Sequence, residues 1–212
     1  MDKMKENIVS YYNKEADSRN KSIKADWKIN IREEFCNLLK KENKKTLLEL
    51  GAGTGNDSKY FMENGFIVTA LDISSEMVKK CQEKSIEAYV LDFYELASMN
   101  RSFDCIWAIN SLLHVPKSDL SHVLKEIYSV LEGDGLFYMG LYGKKLNDLE
   151  CEIIAKEISD SPRFYAFHTE KYLKSMLERY FQIIRYEGIE FDIDKSKSTE
   201  VEIFHSLTMK KN

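Results

Sequence analysis

Glycine at every second position, Gly51-Ala52-Gly53-Thr54-Gly55, directly follows the apolar run Leu47-Leu48-Glu49-Leu50. Glycine lacks a Cβ, so such a loop turns sharply and brings its own amides against a ligand. An apolar strand that breaks into a glycine loop and reopens as a helix is how an open α/β sheet builds a nucleotide site. The dinucleotide fingerprint Gly-x-Gly-x-x-Gly, counted from Gly51, requires glycine where Asn56 stands, so a dinucleotide fits this loop poorly. Asp72 closes the next apolar run, seventeen positions beyond Gly55. A carboxylate there accepts hydrogen bonds from both hydroxyls of a ribose; the plainer reading makes it a cap for the helix that follows. Asp92-Phe93 comes after the third apolar run, where an Asp serves either a ligand or a turn. His114 lies in the loop after the fourth. Histidine titrates near neutrality, which suits a general base; the alternative is a structural histidine bonded to a neighbouring carbonyl.

These groups converge only if strands carry them to one edge. Apolar runs at 46–50, 66–71, 88–91, 103–109 and 136–141 read as strands. Helical patterns at 57–64, 75–84 and 119–131 lie between them, the last with Leu120, Val123, Leu124, Ile127, Val130 and Leu131 on one face and Gly133 as its C-cap. Such alternation implies a parallel sheet with helices on both faces. Trp27, Ile31, Phe35, Leu38 and Leu39 make 26–41 an amphipathic helix laid on that sheet, and 170–180 and 181–186 read as a helix and a strand. Val201, Ile203, His205, Leu207 and Met209 alternate with Glu202, Phe204, Ser206, Thr208 and Lys210. That pattern predicts an antiparallel strand with two unlike faces. Residues 1–20 carry only the weak apolar face Ile8, Val9, Tyr11 and Tyr12. The expected division is therefore a lid segment, 1–25, and one domain, 26–212.

The bulk numbers narrow the function. A chain of 212 residues with 43% hydrophobic residues buries a substantial core. A net charge of −4 leaves no electrostatic footprint for nucleic acid. The four cysteines, Cys36, Cys81, Cys105 and Cys151, include no Cys-x-x-Cys pair, so no metal site and no disulfide framework are expected. The charged start of the chain lacks a signal-peptide core, and no apolar run has membrane-spanning length. A cytoplasmic protein is expected.

With the glycine loop, Asp72, Asp92-Phe93 and the reversed last strand in view, the chain resembles the class I S-adenosylmethionine-dependent methyltransferases, from about Trp27 to the C-terminus. The resemblance implies an α/β, Rossmann-like sheet of seven strands, the last antiparallel, with helices on both faces. It also implies S-adenosylmethionine as cofactor. Glu49, Gly51, Ala52, Gly53 and Gly55 match the motif that cradles the methionine part of the cofactor. Asp72 with Ile73 matches the ribose position, Asp92 with Phe93 the adenine position, and Asn110 the methyl-transfer site. Tyr12 matches an N-terminal tyrosine that closes over the cofactor, with Tyr11 beside it as a substrate contact. The loop after Asn110 lacks the Asn/Asp-Pro-Pro-Tyr/Phe of base N-methylation and the Pro-Cys of pyrimidine methylation. The implied acceptor is a small molecule, methylated on O or N by in-line displacement, with neither nucleic acid nor membrane as partner and a monomer or homodimer as assembly. Asp57-Ser58, the run from Ser111 to Pro116, and Arg163-Phe164-Tyr165 are similar to one bacterial small-molecule group within the family.

In that frame His114 is the candidate base, and Arg163, Tyr165 and His168 are candidate acceptor contacts, with surface positions as their plainer reading. Arg32 reads either as a contact to the cofactor carboxylate or as a polar-face arginine. Two other functions share some of these features: an NAD(P)-dependent oxidoreductase and a non-catalytic cofactor-binding protein. The first lacks a Tyr-x-x-x-Lys pair and leaves Asn56 unexplained.

Overall fold

The computed structural model of the chain describes residues 3–144, 152–155, 162–190 and 203–212. In chain order the helices are α1 (Lys3–Asn20), α2 (Asp26–Lys41), α3 (Asn56–Glu63), α4 (Ser75–Glu83), α5 (Leu120–Val130) and α6 (Glu170–Leu177). The strands are β1 (Thr46–Leu50), β2 (Ile67–Asp72), β3 (Glu87–Val90), β4 (Phe103–Ile109), β5 (Leu131–Gly143), β6 (Glu152–Ala155), β7 (Arg163–Ala166), β8 (Phe181–Ile189) and β9 (Ile203–Lys211).

Seven strands form one sheet in the order β3-β2-β1-β4-β5-β9-β8. The first five are parallel, and β9 runs antiparallel to both β5 and β8. The α/β sheet of seven strands with the last reversed is the one expected from the sequence. Helix α2 spans the expected residues, and Ile31, Phe35, Cys36 and Leu39 are its buried positions. These pack with Leu47, Phe61, Trp107 and Tyr138 in one apolar layer. A second layer, on Leu48, Ile106 and Phe137, takes Leu120, Val123, Leu124, Ile127 and Val130 of α5. Truncating a fully buried leucine of this kind costs ~2–5 kcal/mol, because the cavity left behind relaxes only partly.

Four readings need correction. Helix α5 stops at Val130, and Leu131 already has the extended backbone that opens β5, so Gly133 is a strand residue rather than a cap. β9 is antiparallel as expected, yet both of its faces are buried from Ile203 to Met209, because Leu207 and Met209 pack into one apolar layer and Phe204 into the other. Its polar residues are accommodated by partners: Ser206 Oγ lies 3.1 Å from Tyr138 Oη. β3 begins at Glu87, one residue earlier than the apolar run. The small sheet β6-β7 had no signal in the sequence. Val201, Glu202 and Cys151 lie outside the described residues.

Candidate functional site

The parallel strands deliver their C-terminal ends to one edge of the sheet, where ligands bind in open α/β folds. A cavity of about 470 Å³ opens there, lined from β1, β2, β3 and β4 by Gly51–Gly53, Asp72–Ile73, Asp92–Phe93 and Asn110–Ser111. Glu49, Tyr12 and His114 line it as well.

The glycine loop is shaped by steric necessity at two positions. Gly51 has φ +67°, and a Cβ there would stand 2.4 Å from Ser111 Cβ. Gly55 has φ +77° at the head of α3, where a Cβ would stand 2.6 Å from Ile86 Cδ1. Left-handed backbone with no room for Cβ leaves glycine as the only residue type that fits. Gly55 is not on the cavity wall; it turns the chain into α3, whereas Gly51, Ala52 and Gly53 face the cavity.

Asp72 is buried. Its Oδ2 accepts the Gly53 amide at 2.8 Å and its Oδ1 accepts the Ser74 amide at 2.9 Å. Burial raises its pKa, and the amide bonds oppose that shift. Helix α4 is capped by Ser74 Oγ, which accepts from Met77 N at 3.2 Å. Each Asp72 oxygen keeps a further lone pair for a ligand. Met77 lines the cavity besides packing in the core. Asp92 accepts the Tyr94 amide on Oδ1 at 3.2 Å and Lys5 Nζ on Oδ2 at 2.7 Å.

Glu49 is buried and accepts a short hydrogen bond from Ser58 Oγ. Burial, reinforced by Asp57, raises its carboxyl above the usual carboxylate range. Asp57 accepts from Lys24, from Arg32 Nη1 at 2.9 Å and from Trp107 Nε1 at 3.2 Å. Arg32 is therefore engaged with a protein carboxylate.

His114 Nδ1 lies 2.7 Å from the Phe164 carbonyl, and its Nε2 lies 2.7 Å from Tyr12 Oη. A carbonyl only accepts, so Nδ1 carries the proton and Nε2 receives the Tyr12 hydroxyl. Burial lowers the imidazole to about 4, so the ring is neutral. His114 is bonded to a neighbouring carbonyl, as its structural reading has it, and it also lies on the cavity wall.

Tyr11, Arg163, Tyr165 and His168 stand behind that wall and do not line the cavity. Arg163 lies with its guanidinium 3.8 Å from the Tyr11 ring centroid, and Tyr165 packs 5.1 Å from the His114 ring. Neither Arg163 nor His168 is at the surface: Arg163 is 6% exposed and His168 5%. His168 stacks on Tyr172 at 4.9 Å, and burial lowers it to about 4. His205 Nε2 donates to the His168 carbonyl at 3.0 Å, a purely structural bond. Buried Cys81 and Cys105 have thiols pushed up by burial, Cys81 to about 12, so thiolate chemistry is disfavoured.

The sequence reading missed Lys5, Arg19, Lys24, Lys28, Ser111 and Tyr142 on the cavity wall. Basic residues on helices and in the connections between them read as solvated, and only the fold turns these four inward. Asn110 Oδ1 and Ser111 Oγ are buried without a hydrogen-bond partner. Orphaned acceptors facing a cavity fit a ligand that brings its own donors.

A glycine cradle, a carboxylate at the end of the next strand and a second after the third thus line one cavity, in the order that the resemblance to class I methyltransferases implies. Residues 47–135 match the family described as Methyltransferase domain. The chain is 31% identical over 103 residues to the 27-O-demethylrifamycin SV methyltransferase of Amycolatopsis mediterranei, covering 44% of this chain and 37% of that protein. It is also 31% identical to an uncharacterized protein of Methanocaldococcus jannaschii, over 76% of this chain and 67% of that protein. The chain spans less than half the length of the first curated relatives it matches. Its fold matches the Burkholderia thailandensis 1,6-didemethyltoxoflavin-N1-methyltransferase, crystallised with 1,6-didemethyltoxoflavin and S-adenosylhomocysteine. That likeness has a TM-score of 0.72 at 20% identity, covering 99% of this chain and 88% of that one. Residues 47–135 thus match a methyltransferase domain, and the chain has the fold of solved methyltransferases.

Proposed function

We propose that this chain transfers a methyl group from S-adenosylmethionine to an O or N atom of a small molecule. The observation that carries this reading is the convergence of the Gly51–Gly53 loop, Asp72, Asp92 and the orphaned Asn110 Oδ1 on one cavity. A small acceptor is favoured by the cavity's volume of about 470 Å³ and by the acceptors named for the relatives, 27-O-demethylrifamycin SV and 1,6-didemethyltoxoflavin.

When bound, S-adenosylmethionine supplies an electrophilic methyl group for in-line displacement. The chain's task is to orient the acceptor and exclude water. Asp92 and the Phe93 backbone would hold the adenine, Asp72 and Ile73 the ribose, and Glu49, Gly51, Ala52, Gly53 and Asn110 the methionine part. Gly55 acts by turning the loop. Tyr12 donates to His114, which leaves its oxygen lone pairs turned to the cavity as acceptors for an O–H or N–H of the substrate. His114, held neutral by burial, accepts the Tyr12 hydrogen bond on Nε2 and so orients the tyrosine oxygen toward the acceptor. Tyr11, Arg163, Tyr165 and His168 support that pair from behind, and α1 serves as the lid expected of residues 1–25 on a domain formed by 26–212. No described helix is long and apolar enough to cross a membrane. A cytoplasmic monomer or homodimer without nucleic-acid or membrane partners completes the reading.

Titration calorimetry tests it. S-adenosylhomocysteine should bind and NADH should not; the reverse result sinks the proposal. Asp72→Ala removes charge-assisted bonds worth ~1.5–3 kcal/mol, so the affinity for S-adenosylhomocysteine should fall by about ten-fold to a hundred-fold. Unchanged affinity would mean that Asp72 does not touch the ribose.

A further inference from the structure

Lys28 lies in the first turn of α2, half-buried at the cavity wall. Its Nζ stands 3.0 Å from Tyr142 Oη and 5.0 Å, 4.8 Å and 5.6 Å from the ring centroids of Trp27, Tyr142 and Phe204. Among the described residues no carboxylate is within ion-pair distance of it; the nearby Asp57 is committed to Lys24 and Arg32. An ammonium removed from water without a counter-ion is costly. Burial, with Lys24 beside it, lowers this one to about 8. Surplus positive charge collects here, in a chain whose formal net charge is −4.

The order of strands says which ligand faces Lys28. Along the C-terminal edge, Asp92 follows β3, Asp72 ends β2, Gly51 follows β1, Asn110 follows β4, and Tyr142 is near the end of β5. Neighbouring strands are about 4.8 Å apart, so Tyr142 lies roughly 10 Å beyond the β1 loop, on the side away from Asp72. On the methyl-transfer reading above, on which this inference rests, the cofactor occupies β3 to β1. The space over β4 and β5 then belongs to the acceptor. Trp27 and Tyr142 wall it with aromatic rings.

We propose that Lys28, with Trp27 and Tyr142, forms an acceptor subsite for a carboxylate carried on an apolar or aromatic body. A single ammonium flanked by the Tyr142 hydroxyl matches a monoanion, and the ring faces match the body that carries it.

The test is calorimetry on the complex with S-adenosylhomocysteine, using benzoate as probe and benzamide as its neutral isostere. Wild type should prefer benzoate by about ten-fold, as expected for one charge-assisted contact. Lys28→Met should erase the preference, and Lys28→Arg should retain it. S-adenosylhomocysteine affinity should stay within about two-fold in both variants, which also reports that they fold. Above pH 8 the preference should fade as Lys28 loses its proton. Absence of the preference in wild type, or its survival in Lys28→Met, overturns the subsite alone. A drop of about ten-fold in S-adenosylhomocysteine affinity in Lys28→Met also overturns it and assigns Lys28 to the cofactor's own carboxylate. Failure of S-adenosylhomocysteine to bind wild type overturns the methyl-transfer reading, and the subsite with it.

Discussion

Neither ring nitrogen of His114 is free: Nδ1 donates to Phe164 O and Nε2 accepts from Tyr12, each at 2.7 Å. That arrangement fixes the tautomer and keeps the ring uncharged. A base lowered to about 4 is weak by itself, so its value lies in orienting the tyrosine oxygen that meets the acceptor. The same burial has a consequence for stability. An unfolded histidine binds a proton below about 6.5, whereas folded His114 and His168 do so only near 4. Between those values the unfolded chain holds more protons, so stability rises with pH. This contribution is fully present above about pH 6.5 and is lost as pH falls to about 4, at up to ~3 kcal/mol per histidine. Urea denaturation at a series of pH values should show it. His114→Gln should remove close to one proton from the proton uptake on unfolding near pH 5.5. An unchanged slope would mean that His114 titrates normally in the folded protein.

At the scale of elements, Asp57 is the point where four pieces of chain meet. It belongs to α3 and takes bonds from Arg32 of α2, from Trp107 of β4 and from Lys24 in the connection between α1 and α2. Removing one partner of a buried ion pair strands the other charges, at a cost of ~3–5 kcal/mol. Asp57→Ala should lower the unfolding free energy by about that amount, and S-adenosylhomocysteine affinity should fall with it because the glycine loop feeds directly into α3. A loss below ~1 kcal/mol, typical of a surface pair, would show that the cluster is solvated. None of this was visible in the sequence, where Asp57 was one half of a family-like Asp-Ser pair and Arg32 either a cofactor contact or a polar-face arginine. The strands and helices themselves were legible, because periodicity is local: α2 and β4 fall on the expected residues. The place of Asp72 was legible too: it ends β2 and lines the cavity, as a carboxylate closing an apolar run before a loop can. Lys28 was not, because its role depends on Tyr142 more than a hundred positions away. Nor was the burial of both faces of β9, since alternation along one strand cannot tell an edge from an interior place.

At the scale of the whole molecule, the proposed lid, helix α1, is held by few buried residues. Helix α1 turns Lys5, Ile8, Tyr12 and Arg19 toward the cavity, a spacing that keeps them on one face. Yet Ile8 and Ala16 are its only buried residues, and burying one isoleucine stabilises by only ~1.5–3 kcal/mol. Most of its remaining ties are polar and partly exposed: Lys5 to Asp92, Asn13 to Ser74, Lys80 to Asp17, Lys84 to Asn20. Such pairs add ~0–1 kcal/mol each. The Lys5 contact also covers Asp92, the carboxylate proposed to receive the adenine, so a bound nucleoside shares that carboxylate with Lys5 or displaces it. Opening on this reading is inexpensive, as befits an element drawn from the low-stability end of the fold. Amide hydrogen exchange should find α1 far less protected than β1 and β4 in the free protein. Saturating S-adenosylhomocysteine should slow exchange in α1 by about ten-fold or more, with little change in α5, which packs away from the cavity. Equal protection of α1 and β4 in the free protein would mean that the helix is a fixed wall and that the ligand enters by another route.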